Sequence, residues 1–411
     1  MSSAEDVRAE VEAWVDQNWD PELSVEQWWQ RLADSGLARP MFAPPYGRGW
    51  GPAEARVVSA VIAEKGALGP AGGLGVLLAA PTILEHGTTE QIDRYVRPIL
   101  DGTEGWCQLF SEPGAGSDLA GLQTKAERDG DEYVITGQKV WTSTGQYADF
   151  GMLVARTDSN LPKHQGLSYF AFPMLQDGVE VRPLKEMTGR SIFNEVFLDE
   201  ARVPAANLIG GLNQGWAVTN TTLMVERSGI GGGHGGGSAA LPGTVAGHLS
   251  RPAQSFVGLR EALASGGVGS GRVNQLLSLA KEVGRNDDPI VRQELAKLYT
   301  KVEIIRMTSL YLKAGLGRTG GEGSMAKIRM TDAIRHAADV GNLLIGAHGQ
   351  ILGDDTLTAG SIQELTVFAP GPAIYGGTDE IQRNVIGERA LGLPKEPGPD
   401  KNTPFNELLT N

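Results

Sequence analysis

The spacing of apolar residues changes twice along this chain of 411 residues, and the two changes limit the folds it can adopt. Near the start, Val7, Val11, Trp14 and Val15 recur every three or four positions, which is typical of a helix. From about Trp106 short β-type segments follow one another without helices between them. From Gly215 the helical spacing returns. This order predicts separate helical, antiparallel β and helical parts.

We therefore predict an α+β multidomain protein with an N-terminal α-helical domain over residues 1–105. A middle domain, an antiparallel β-barrel or sandwich, covers 106–214, and a C-terminal up-and-down helical bundle covers 215–411. The predicted helices include 25–33, 53–64, 89–100, 215–230, 295–314, 324–345 and 379–390. The predicted strands are 133–136, 150–155, 168–172, 179–182 and 195–198.

Composition excludes several classes of protein. A formal net charge of −13 argues against a nucleic-acid binder, which needs a basic face. The acidic, polar N-terminus does not resemble a signal peptide. Glycines and two prolines interrupt the longest apolar run, 68–84, so we expect no membrane span. The single cysteine, Cys107, cannot form an internal disulfide, which favours a cytoplasmic protein. We predict no metal site.

One predicted helix, Gly215 to Ile230, carries a carboxylate and a guanidinium side by side, Glu226 and Arg227. Met224 and Val225 precede them, and an ionised carboxylate among apolar neighbours is costly unless it is paired or used. Seen alone, a solvated Glu–Arg pair on a surface helix is the better interpretation.

Two stretches of sequence alter that interpretation. The first is Gln-Leu-Phe-Ser-Glu-Pro-Gly-Ala-Gly-Ser-Asp at 108–118, followed by Gly-Gln-Lys-Val-Trp-Thr-Ser at 137–143. The second is Ile-Tyr-Gly-Gly-Thr-Asp-Glu-Ile-Gln-Arg at 374–383. Between them stand Phe-Asn-Glu-Val-Phe at 193–197, Arg-Val-Pro at 202–204 and Asn-Leu-Ile-Gly at 207–210. In these positions and this order, the chain resembles the acyl-CoA dehydrogenase family over essentially its whole length.

The residues suit a flavin. A Ser-Glu-Pro-Gly-Ala-Gly-Ser turn exposes backbone N–H groups and lets a planar ring approach the main chain. Taken alone, an ordinary glycine turn explains it equally well, and Trp141 can be either a flavin contact or a core residue. The resemblance implies FAD as cofactor. The residues it implies for the flavin are Gln108, Phe110, Ser111, Gly116, Ser117, Trp141, Thr142, Ser143, Thr378 and Glu380.

The family reaction removes an α proton and a β hydride from an acyl-CoA thioester, so it needs a carboxylate base. Most members carry that base in a Tyr-Glu-Gly-Thr motif, whereas this chain has Gly376 at that position. A smaller branch, similar to isovaleryl-CoA and long-chain dehydrogenases, has its glutamate on the first bundle helix directly before an arginine. That resemblance implies Glu226 as the base. The substrate contacts it implies are Ser117, Leu223, Met224, Arg227, Tyr375 and Gly376.

The bundle departs from the family pattern. Family members usually carry an Arg-x-x-Phe-Gly motif that reaches the FAD of the partner subunit. This sequence lacks that motif, and Arg285 is a candidate replacement. A homodimer or homotetramer with altered contacts and an α2β2 heterotetramer, as in relatives similar to steroid side-chain dehydrogenases, both stay open. A non-catalytic acyl-CoA-binding scaffold is a third hypothesis. Electrons are expected to pass to an electron-transfer flavoprotein or a similar acceptor, with an oxidase as the alternative.

The acyl group is only weakly constrained. Glycine at position 376 leaves space on one side of the acyl pocket, which predicts a branched, cyclic or bulky substrate. The glycine-containing insertion 231–271, directly after the helix with Glu226, is a candidate pocket wall or lid.

Overall fold

The computed structural model describes residues 4–232, 239–258, 270–317, 319–353, 356–395, 397 and 402–408. It confirms the predicted fold class, because helices precede and follow a single β-sheet. The helices are α1 Ala4–Asn18, α2 Val25–Asp34, α3 Pro52–Glu64, α4 Ala80–His86, α5 Thr89–Leu100, α6 Gly215–Gly232, α7 Ser270–Glu282, α8 Pro289–Lys313, α9 Glu322–Ile345, α10 Ser361–Phe368 and α11 Asp379–Val385. The strands are β1 Trp106–Leu109, β2 Lys125–Asp129, β3 Glu132–Ser143, β4 Phe150–Arg156, β5 Leu167–Pro173, β6 Val179–Pro183, β7 Phe193–Pro204 and β8 Leu208–Ile209.

Local chemistry explains several helix starts. Ser24 and Gln27 form a capping box at the start of α2, and Thr88 and Gln91 form one at the start of α5. Each box provides hydrogen-bond acceptors for two backbone N–H groups at the start of its helix. Among the helical regions that the sequence-based prediction lacks, one begins in the apolar run 68–84. A π-helical turn at Gly75–Ala79 leads directly into α4, inside the apolar run whose glycines and prolines disguise its periodicity.

The sheet has eight strands in the order β6-β7-β3-β2-β4-β5-β8, with β1 paired to β4. Most pairings are antiparallel, as predicted, but β1 and β2 each run parallel to β4. Strand β3 extends to Ser143 and pairs with β7 across a register shift between Lys139 and Thr142. A β-bulge of this kind re-aims the side chains beside it.

The two faces of β5 belong to different cores. Tyr169 and Ala171 face the core that the N-terminal helices share with the sheet, whereas Phe170 and Phe172 face the core on its other side. Helices α7 to α10 form a third core. Helix α6, predicted as the first helix of the bundle, packs Val218 against the first core, so it lies on the sheet and the N-terminal helices and also contacts α9.

The chain after α6 is fastened to the N-terminal domain over residues 239–258. Val25 donates its N–H to the Arg251 carbonyl at 2.9 Å, and Ala253 donates to Leu23 at 2.8 Å. The hydroxyl and N–H of Thr244 donate to the buried Asp149 carboxylate. This part of the predicted wall or lid is therefore fixed, while 233–238 and 259–269 lie outside the described residues. None of the described helices combines the length and the apolar character that a membrane span requires.

Candidate active site

The end of β1 lies beside the bulged part of β3, and this brings the first two sequence motifs, at 108–118 and 137–143, together. The Lys139 ammonium donates to the carbonyls of Phe110 at 3.0 Å and Val154 at 2.8 Å. The N–H of Val140 donates to the Ser111 carbonyl at 2.9 Å. Strand β3 thus fixes the main chain that leads into the glycine turn at 113–117.

A buried ion pair supports the same junction. Lys139 is fully buried and lies 2.9 Å from Glu112 Oε1, while Glu112 also accepts the N–H groups of Gln123 and Thr124. Burial alone would raise the pKa of Glu112, but the Lys139 charge and the hydrogen bonds outweigh it and hold that pKa below its ordinary value. Burial also lowers the pKa of Lys139, and Glu112 opposes this shift.

The surface beside this junction has an exposed aromatic ring and open space next to the main chain, which fit a planar cofactor. Trp141 stands in the bulge with a left-handed φ of 60° and leaves 61% of its surface exposed. Such a large uncovered apolar ring, held in a strained backbone conformation, is typical of a functional surface. A Cβ at Gly116 would meet no atom within 4 Å, so the turn has open space beside its main chain.

The other residues predicted for the flavin differ in how they are placed. Gly116 and Ser117 are exposed, while Gln108, Ser111 and Ser143 are half-buried. The Phe110 ring is buried and packs edge-on against Tyr169 at 6.0 Å. Thr142 is fully buried, and its hydroxyl has no hydrogen-bond partner within the described part of the chain.

Glu226 is brought to the same junction from a distant part of the sequence. It lies on α6, half-buried, and its Oε2 accepts a long hydrogen bond of 3.4 Å from Gln108 Nε2 on β1. Leu223 and Val225 are partly buried against the core of the N-terminal helices and sheet, while Met224 is 60% exposed. Glu226 is therefore partly shielded from solvent and lies beside β1. The side chain of Arg227 lies outside the described part of the chain.

Helix α6 begins in direct contact with the sheet. A Cβ built at Gly215 would lie 2.5–2.8 Å from three backbone atoms of Ser168 on β5. Backbone cannot yield as a flexible side chain can, so glycine allows this close approach.

We therefore expect Gly215→Ala to lower the free energy of unfolding by about 1–3 kcal/mol, because the added methyl group forces α6 away from β5. Chemical denaturation of the FAD-bound protein measures the change. Gly323→Ala on α9 is the control, since its Cβ would meet nothing within 4 Å and alanine favours a helix. Equal stability of the two variants would show that α6 does not rest on Ser168 in this way.

The motif at 374–383, the third motif here, forms a separate turn that leads into α11. Gly376 and Gly377 both have left-handed φ values, 64° and 84°, which explains glycine at 376, where a side chain would cost about 1–2 kcal/mol. The Thr378 hydroxyl caps α11, Glu380 pairs with Arg383 at 3.5 Å, and Tyr375 is 39% exposed. Among the described residues, no hydrogen bond joins 374–380 to the motifs on β1 and β3.

The candidate replacement for the missing arginine motif is engaged within its own chain. Arg285 donates to Asp288 at 2.7 Å and to the Leu343 carbonyl at the end of α9. Whether it reaches a neighbouring subunit stays a prediction.

Comparison with known proteins identifies the family. Sequence models of the acyl-CoA dehydrogenase N-terminal, middle and C-terminal domains match residues 3–103, 107–201 and 259–391. The acyl-CoA dehydrogenase IpdE1 of Mycobacterium tuberculosis is 33% identical over 96% of this chain and 99% of its own length. This chain belongs to the acyl-CoA dehydrogenase family.

Solved acyl-CoA dehydrogenase structures share the fold over almost the whole chain. The steroid ACAD Tcur3481-Tcur3483 matches with a TM-score of 0.73 at 26% identity, covering 96% of this chain and 98% of that one. The ChsE4-ChsE5 complex of Mycobacterium tuberculosis matches with a TM-score of 0.70 at 26% identity, covering 96% and 99%. As an acyl-CoA dehydrogenase, the protein is an FAD-dependent oxidoreductase, and the surface around Trp141 and Gly116 fits that cofactor.

Proposed function

We propose that this acyl-CoA dehydrogenase uses Glu226 as the base that removes the α proton of a branched, cyclic or bulky acyl-CoA thioester. The observation that carries the proposal is the contact between Gln108 and Glu226, because it sets a carboxylate beside the strand that leads into the glycine turn. The usual position of the base holds Gly376, which has no side chain to act.

The roles of the residues follow from their chemistry. Glu226 accepts the α proton, and the electrons of that C–H bond form the new double bond as the β hydride leaves. FAD, when bound, supplies the acceptor for that hydride. Gln108 donates to the carboxylate and orients it. Trp141, Ser111, Gly116 and Ser143 hold the isoalloxazine region. From the third motif, Thr378 contacts the nucleotide part of FAD and Tyr375 contacts the substrate.

A bulky acyl group is supported by the absence of a side chain at position 376 and by the similarity to a structure described as a steroid ACAD. A panel of butyryl-, isobutyryl-, cyclohexane-1-carbonyl- and steroid side-chain CoA thioesters tests it. We expect one of the last three to remove flavin absorbance fastest under anaerobic conditions. Faster reaction with butyryl-CoA would contradict the substrate class, and no reaction with any thioester would contradict the proposed activity.

A heteromeric assembly is the second candidate. It is supported by the resemblance to the ChsE4-ChsE5 complex and by apolar residues left exposed on α8, where Tyr299, Met307 and Leu310 are each more than half exposed. Surfaces of this kind mark interfaces with other chains.

We therefore expect the chain expressed alone to contain less than one FAD per protomer and a co-expressed, related subunit to restore it. Flavin absorbance and size-exclusion chromatography measure both. A stable homo-oligomer with full FAD would exclude the heteromer. Electron transfer to an electron-transfer flavoprotein, compared with oxygen consumption, then separates a dehydrogenase from an oxidase.

A further inference from the structure

Three buried hydroxyl groups meet beneath α6, and each comes from a different part of the fold. Thr222 on α6 lies 3.0 Å from the Thr82 hydroxyl on α4 and 3.4 Å from the Tyr169 hydroxyl on β5. All three side chains are at most 1% exposed. The group therefore joins the N-terminal helices, the sheet and α6 at one point.

The protons of these hydroxyls can be assigned. Thr222 donates to the carbonyl of Val218 at 3.2 Å, so its oxygen is left to accept from both Thr82 and Tyr169. Every hydroxyl then donates once, and Thr222 uses both of its lone pairs. Burial raises the pKa of Tyr169, which keeps its hydroxyl protonated as a donor. Buried polar groups whose hydrogen bonds are all made fix the relative positions of the elements that carry them, because any shift leaves a donor unsatisfied.

This network lies one helical turn from Glu226. Thr222 precedes Glu226 by four residues, so the two side chains share a face of α6. Tyr169 also packs its ring edge-on against Phe110, which directly follows β1 in the segment that leads into the glycine turn. A single side chain thus contacts α6 through its hydroxyl and the predicted flavin-binding segment through its ring.

We propose that Thr222, Tyr169 and Thr82 are positioning residues that set the place of the Glu226 carboxylate relative to the strand beside the flavin. The inference rests on the proposed role of Glu226 as base. His86 Nε2 contacts the Thr221 hydroxyl at 2.7 Å and holds the adjacent part of the same helical turn.

The test uses the FAD-bound protein and the panel thioester that reacts fastest. Thr222→Val keeps the shape of the side chain and removes its hydroxyl, while Tyr169→Phe keeps the ring contact with Phe110. We expect each to slow anaerobic loss of flavin absorbance about ten- to a hundredfold, with KM and FAD content unchanged, because a small displacement of a reacting group is costly. Thr222→Ser restores the hydroxyl and should restore most of the rate.

Thr219→Val is the matched control. Thr219 lies on the same helix, is fully buried and donates to the Gly215 carbonyl at 2.7 Å, but among the described residues it forms no hydrogen bond with Thr82 or Tyr169. Its variant should react at close to the wild-type rate. If Thr222→Val behaves like Thr219→Val, the positioning role is overturned.

A double variant separates this inference from the function on which it rests. If the network acts through the base, Thr222→Val adds little further loss to Glu226→Gln, whereas multiplied losses would overturn the positioning role. If Glu226→Gln is inactive but Thr222→Val is not slowed, the proposed base stands and the positioning role fails. If Glu226→Gln reacts normally, the proposed base itself fails.

Discussion

Replacing Glu226 with glutamine is expected to slow anaerobic loss of flavin absorbance by about 10²–10⁴-fold, the contribution typical of a positioned general base. Glutamine keeps the size of the side chain but cannot accept the α proton. Stopped-flow absorbance with the best thioester of the panel measures the rate. FAD content should stay at the wild-type level, because the residues predicted for the flavin lie on β1 and the turn after it, on β3 and in the third motif.

Two controls make this result specific. Glu303→Gln removes a carboxylate that pairs with Arg306 on α8, far along the sequence from the site, and should leave the rate unchanged. Glu226→Asp keeps the carboxylate but shortens its reach by one methylene, so we expect an intermediate rate. A Glu226→Gln enzyme as fast as the Glu303→Gln enzyme would remove Glu226 from the mechanism.

The second large effect concerns the buried ion pair beneath the site. Lys139→Met leaves the Glu112 carboxylate buried without its counter-charge, and breaking a pair in this way typically costs about 3–5 kcal/mol. Lys139 also binds the carbonyls of Phe110 and Val154, so its loss should release the glycine turn and lower FAD content. Chemical denaturation and flavin absorbance measure the two effects.

The double variant Glu112→Gln/Lys139→Met should recover much of the lost stability, because no buried charge is left unpaired. The pair of Arg306 and Glu303 on α8 provides the comparison, since Arg306 is exposed and Arg306→Met is expected to cost much less stability than Lys139→Met. Similar losses for Lys139→Met and Arg306→Met would contradict a supporting role for the buried pair.

Local patterns in the sequence predict much of this fold. The predicted helix 89–100 coincides with α5, and predicted strand 179–182 lies within β6, because capping residues and short alternations mark their ends. Strand β2 was not predicted, since only Ala126 of its five residues is buried and it lacks an apolar alternation. Helices α7 and α10 were also not predicted.

Contacts between residues that are far apart in the sequence limit how much of the site can be predicted from it. Glycine motifs and the Glu-Arg pair identify candidate residues, but nothing local in the sequence relates Gln108 to Glu226, which are 118 positions apart. The meeting of Thr82, Tyr169 and Thr222 likewise depends on how three elements pack. Resemblance to a family indicates the proposed base, and the tertiary structure indicates the residues proposed to position it.

The central claim is that Glu226 takes the α proton, and deuterium exchange tests it apart from hydride transfer. In 3,3-dimethylbutyryl-CoA the β carbon carries no hydrogen, so only the α protons can react. In D2O the FAD-bound wild-type enzyme should introduce deuterium at the α carbon, detected by mass spectrometry, and Glu226→Gln should not. Exchange by Glu226→Gln at the wild-type rate would contradict the claim.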